Sequence, residues 1–219
     1  MARPLANPGR VIWAGDHLLM NLRTPGASED GTVISCFRTV YSPAGSGHAA
    51  LALCDVGGDG WGPEDVRAIY TDNEEMTAWV RERVVRRRDH PFNDAALPVR
   101  KAVFEAAGEV GGEYRLTLRS EGREVVVTWA GFEAPLHAEG PGAHPLVALR
   151  EEDVARGAQT GRFGDGYDIF TVLCPAQSGW VAVDGRRAAG DPYPREVWRR
   201  SMGRPLSSAL IAVCEVLVE

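Results

Sequence analysis

The stretch TDNEEMTAWVRERVVRRR, residues 71–88, decides how this chain reads. Thr71 and Glu74 make a capping box, and Asp72, Glu74 and Glu75 place negative charge in the first turn of a helix, where the dipole favours it. Met76, Trp79, Val80 and Val84 recur at helical spacing and form one apolar stripe. Arg86, Arg87 and Arg88 put positive charge in the last turn, and Pro91 stops the helix. The arginine run reads as a solvated helix end rather than a nucleic-acid patch.

Outward from this helix, almost everything is short β-rich segments broken by Gly and Pro. Strands are predicted over 11–22, 32–41 and 48–56, the last two joined by SPAGSG, and a short strand over 66–70 leads into the helix. Residues 99–107 fit either a strand or a short helix. A hairpin over 113–120 and 123–132 turns at Glu121-Gly122. The segment APLHAEGPGAHP is irregular, and a short helix is predicted over 149–156. Three more strands follow, over 167–174, 179–184 and 207–218, with a turn at Asp184-Gly185. The excursion DPYPREVWRRSMGRP carries one helical turn.

No repeat or low-complexity linker interrupts the chain, so residues 1–219 read as a single domain, with residues 1–9 a loose arm. The class is mainly β (α+β): a curled antiparallel sheet or calycin-like β-barrel with one main helix. An open sheet with the helix on one face is the alternative. The plan resembles calycin-type ligand-binding barrels, where one helix lies against a closed sheet. The Gly-x-Trp of lipocalins is absent, because Trp13-Ala14-Gly15 runs in the wrong order. TDNE after Tyr70 also resembles a stretch of the acetoacetate decarboxylase family. That family's catalytic lysine pair has no counterpart, since Lys101 stands alone and further along.

Composition bounds the function. The chain has 219 residues, 44% of them hydrophobic, and a net charge of −6, which argues against a broad phosphate-binding face. The four cysteines, Cys36, Cys54, Cys174 and Cys214, sit in apolar runs without a C-x-x-C pair. They are expected to be buried thiols rather than a disulfide framework or zinc site. MARPLANPGR lacks the apolar core of a signal peptide, and no stretch reaches transmembrane length. A cytoplasmic setting is expected, with no membrane or nucleic-acid partner, no cofactor and a possible homodimer.

Several residues could carry chemistry. Lys101 is the only lysine and a candidate Schiff-base amine. Asp16 and His17 adjoin in the first strand, so they point to opposite faces unless the strand bulges. Tyr167 and Asp168 stand at a strand mouth, where barrels place ligand-touching polar groups. These five form the candidate catalytic set. Trp13, Trp79 and Trp129 are candidate ligand-binding aromatics, because large rings dominate apolar contacts. His137 and His144 share one loop and complete the candidate ligand-binding set; their spacing fits no standard zinc pattern, and no metal is assigned. His48 reads as a strand-end polar residue. GGDGWG lacks the ending of a phosphate loop, and no nucleophile elbow is present. The expected function is a barrel enzyme acting on a small apolar organic molecule by acid–base chemistry. The alternatives are a non-catalytic carrier barrel and a structural, oligomer-forming domain.

Overall fold

The computed structural model describes residues 10–85, 90–141 and 168–218. The predicted arm, the Arg86–Arg88 run, the predicted helix over 149–156, Tyr167 and His144 lie outside them.

The chain builds one barrel-like, mainly antiparallel sheet that is nearly closed and has a single seam. Strands β1 (Val11–Leu22), β2 (Thr32–Tyr41), β3 (Gly47–Cys54) and β4 (Val66–Thr71) form a meander of antiparallel neighbours. After the helical segment, β5 (Val99–Lys101) runs parallel to β4, and β6 (Val103–Gly108) pairs with β7 (Glu113–Ser120). The segment left open between strand and helix is therefore extended. Its first part joins one side of the seam and its second part the other. Strand β8 (Arg123–Phe132) follows through the Glu121-Gly122 turn, where both residues take positive φ as a tight hairpin demands. Then come β9 (Leu136–Pro141), β10 (Asp168–Val183), β11 (Arg186–Arg187), β12 (Pro194–Arg195), β13 (Leu206–Ser207) and β14 (Ala209–Val218). Strand β14 lies between β1 and β10 and so joins the two halves of the sheet's path.

Two strands predicted over 167–174 and 179–184 are one strand, β10, of 16 residues. Pro175 and Gly179 look like breakers. They stand instead where β10 changes partner, from β14 over Asp168–Pro175 to β8 over Ala176–Val183. Gly179 has a packing reason too: a Cβ there would collide with the end of Met20 and stand 2.8 Å from the Thr128 carbonyl oxygen.

Alternation sorts the core into an inside and an outside. Inward positions such as Leu18, Met20, Ile34, Leu116, Val127 and Trp129 form the main apolar cluster, with Ala50, Ala52 and Cys54 the small members on β3. Side chains thus fill much of the interior. Outward positions Trp13, Phe37, Leu51 and Ile69 form a second cluster.

The helix covers that second cluster from outside. Helix α1 (Glu74–Val80) continues into a π-helical turn (Arg81–Val85), and a separate 3-10 turn spans Pro91–Asn93. Met76, Val80 and Val84 are buried against Phe37, Leu51 and Ile69, and Trp79 is half-buried beside them. The stripe is therefore an outer cover, not a plug in the barrel. The helix also starts later than the capping-box reading places it. Its N-cap is Asn73, in extended backbone, whose side chain accepts from Met76 N at 3.0 Å. Thr71 remains the last residue of β4, and its hydroxyl oxygen accepts from Asn73 N at 2.8 Å and from the Thr77 hydroxyl at 2.7 Å.

A second outer cover comes from the excursion before β14. A 3-10 turn (Glu196–Trp198) and helix α2 (Arg199–Met202) bury Val197 and Trp198 against Leu19, Leu173 and Leu210. Among the described residues no helix is long and apolar enough to cross a membrane. Cys36, Cys54 and Cys174 are buried as expected, whereas Cys214 is exposed. The pattern IAVCEV conceals a bulge: β14 shifts register against both β1 and β10 at this point, and Cys214 takes φ 52.

Candidate functional site at one barrel end

One end of the sheet carries polar groups on inward-facing positions. Asp16 continues the inward series Leu18, Met20, Leu22 on β1, Arg38 continues Ile34 and Cys36 on β2, and His48 precedes Ala50 and Ala52 on β3. Asp16 pairs with Arg38 across β1–β2, and Arg38 pairs with His48 across β2–β3. Directly opposed residues bring their Cβ atoms to within side-chain reach. The row ends at Asp72, just past β4.

Contacts hold the row together. Asp16 is ion-paired with Arg38, and its other carboxylate oxygen accepts from Cys214 N at 3.0 Å, which ties the row to the bulge on β14. Asp72 accepts from His48 N at 2.6 Å and sits 2.7 Å from His48 Nδ1. With Nδ1–H given to the carboxylate, the lone pair is on Nε2, which makes no hydrogen bond among the described residues.

Aromatic groups face this row. Phe104 stacks on the His48 ring at 4.7 Å between centroids, nearly parallel at 11°. Phe104, Tyr114 and Phe132 are only partly buried on the main cluster, and Tyr114 lies 6.0 Å from the Trp129 ring. Burial raises the Tyr114 hydroxyl above its ordinary pKa, and the Arg38 guanidinium works against that rise. Cys36, one step inward, is pushed up by complete burial first and by Asp72 next. The end therefore offers an aromatic wall, a charged wall and one oriented imidazole.

Beside the row is an open cleft of about 600 Å³ lined by Ser46, Gly47, Asp72, Asn73, Glu74 and Lys101. Lys101 is 87% exposed, with Nζ 3.9 Å from a Glu74 carboxylate oxygen. Asp72 is common to this cleft and to the His48 pair.

The other predicted site residues are dispersed. Ordinary alternation along β1 leaves Asp16 inward and His17 outward, as expected, and the extra residue of the neighbouring register shift lies on β14. His17 is buried under the outer cover, stacked on Phe37 at 4.0 Å, with Nε2 2.8 Å from the Ser35 hydroxyl. Trp13 is buried in the same outer cluster and donates to the Thr39 hydroxyl at 3.0 Å. Trp79 lies on the helix over that cluster. Trp129 fills the interior and donates across it to the Leu19 carbonyl at 2.7 Å. Asp168 opens β10 opposite Val218, and His137 lies exposed on β9 opposite Val172. The structure thus brings Asp16 to the rim and Lys101 to the adjoining cleft. In the sequence Arg38, Phe104 and Tyr114 carry no assigned role, His48 reads only as a strand-end polar residue and Asp72 only as a first-turn acid of the helix. Their signal was parity: Arg38 and His48 extend the inward series of two strands joined by one short turn.

Among the described residues no group of three or more His, Cys, Asp or Glu is arranged to hold a metal ion. Comparison with protein-family models, curated proteins and solved structures finds no match to this chain.

Proposed function

We propose that this end of the sheet binds a small, largely apolar organic molecule, and that His48, oriented by Asp72, exchanges a proton with it. The observation that carries the reading is the Asp72–His48 pair stacked on Phe104. A carboxylate on Nδ1 fixes the ring and leaves Nε2 as the working nitrogen, the arrangement general acid–base catalysis needs. The half-buried Phe104, Tyr114 and Phe132 supply apolar contact, and Arg38 supplies an anchor for an acceptor atom on the ligand. Lys101, so exposed, supports solvent contact rather than a desolvated Schiff-base amine.

A carrier reading has its own support. Trp129 and its neighbours fill the interior, which leaves a shallow site rather than a deep chamber. One experiment separates the two. A library of small aromatic ketones and acids is titrated against isotope-labelled protein in D2O. Shifts at His48, Phe104 and Tyr114 with deuterium entering the ligand are expected, and His48→Gln should stop the exchange while keeping binding. Binding without exchange moves the assignment to a carrier, and silence at all three residues ends both readings.

A further inference from the structure

A second polar recess lies on the seam. It is a cleft of about 320 Å³ whose lining includes Arg67, Tyr70, Arg100, Ser120 and Arg123, drawn from four strands. Tyr70 is 3% exposed, yet its hydroxyl has no hydrogen-bond partner among the described residues. The hydroxyl is not among the fully buried polar atoms, and the residue lines the cleft, so this group can meet a ligand there.

The charges around it are unevenly committed. Arg123 is held firmly, with Nε 2.5 Å from an Asp184 carboxylate oxygen and Nη2 2.6 Å from the Glu64 carbonyl oxygen. Arg100 pairs with Glu121 at an exposed position, where an ion pair is weak and exchangeable. Arg67 has no ion pair among the described residues and lies over the Trp61 ring at 4.7 Å. The nearest acid in the lining, Asp65, is spent on backbone amides, accepting from Val56 N at 2.7 Å and Gly62 N at 2.5 Å. Ser120 is likewise committed to the Lys101 carbonyl oxygen.

We infer that this recess is a binding site for a small phosphomonoester, with Arg100 and Arg123 at the phosphate, the Tyr70 hydroxyl donating to it and Arg67, on the outward face of its strand, reaching the phosphate from the outer lip of the cleft. Donors converging from separate elements suit a tetrahedral dianion. A planar carboxylate is satisfied by one guanidinium fork. The half-exposed Trp61, at 49%, offers an apolar edge for the organic part. The site is independent of the His48 reading, since the two share no residue.

The test uses phenyl phosphate at low salt, followed by amide and arginine side-chain NMR and by Trp fluorescence. Saturable binding that shifts Tyr70, Arg67 and Arg100 is expected. Tyr70→Phe keeps the packed ring and should weaken binding about tenfold, and Arg67→Gln should weaken it by a similar factor. His48→Gln should change nothing. Equal response to chloride, acetate and phenyl phosphate overturns the proposal, as does unaltered binding by both variants. Cosedimentation with phosphatidate vesicles without binding of phenyl phosphate also overturns it, in favour of a lipid surface.

Discussion

Asp72 grips His48 twice, accepting from its backbone N–H with one carboxylate oxygen and meeting its ring Nδ1 with the other. The residues lie 24 positions apart in sequence, and the β3–β4 pairing brings them together. This double hold fixes the tautomer of the imidazole. In the neutral protein, His48 Nε2 is expected to give a pyridine-type nitrogen signal, and Asp72→Asn should redistribute the proton between the two nitrogens. Because the pair is partly exposed, the same variant should lose less than about 1 kcal/mol in urea unfolding. An unchanged nitrogen spectrum would show that Asp72 does not orient the ring.

The helix start is tested by two neighbouring substitutions. Asn73→Ala removes the acceptor for Met76 N and should cost about 1 kcal/mol. Glu74→Ala should stay within about 0.5 kcal/mol, as for an exposed surface change. The opposite order, measured by chemical denaturation, would restore Thr71 and Glu74 as the cap.

Gly179→Ala should destabilise the barrel by about 1–3 kcal/mol, because the added methyl group meets Met20 and the Thr128 carbonyl. Adding Met20→Ala relieves only the side-chain part of the clash. The double variant should therefore show a favourable coupling in thermal unfolding. Strict additivity would mean that β10 shifts to accommodate the methyl.

Thiol chemistry distinguishes the cysteines. Cys214 should react with a disulfide reagent in the native protein, while Cys36, Cys54 and Cys174 stay protected until unfolding. Burial pushes Cys54 from 9.0 up to about 12, with Asp65 adding to the rise. In the unfolded chain this thiol loses its proton first, so above pH 9 the unfolded state binds fewer protons than the folded one. Its contribution is complete below about pH 9 and fades as pH rises toward about 12. The denaturation midpoint should fall over that window, and less so in Cys54→Ala once its own baseline is set.

The sequence showed the sheet's regular parts well. The bounds of β1 and β2 follow from apolar runs, and the Glu121-Gly122 and Asp184-Gly185 turns from residues that tolerate positive φ. It misled where one residue had two meanings. Pro175 signals a break locally but marks a change of partner in β10, and Cys214 sits in an apolar run but at a bulge. The rim row was invisible for a different reason. Asp16, Arg38, His48 and Asp72 become neighbours only through register, which no local pattern encodes. Whether the helix stripe met the inside or the outside of the sheet was equally a matter of topology.

The placement of β14 between β1 and β10 also governs when the molecule can assemble. Val11 pairs with Val218 and His17 with Ala212, contacts that span nearly the whole described chain. Until β14 arrives, β1 presents an unpaired edge and half of the interior lacks its wall. Contacts of such long separation make folding slow and leave apolar strands open to other chains meanwhile. A chain still lacking β14 would thus hold two unjoined halves of the sheet, and their union would be a late step.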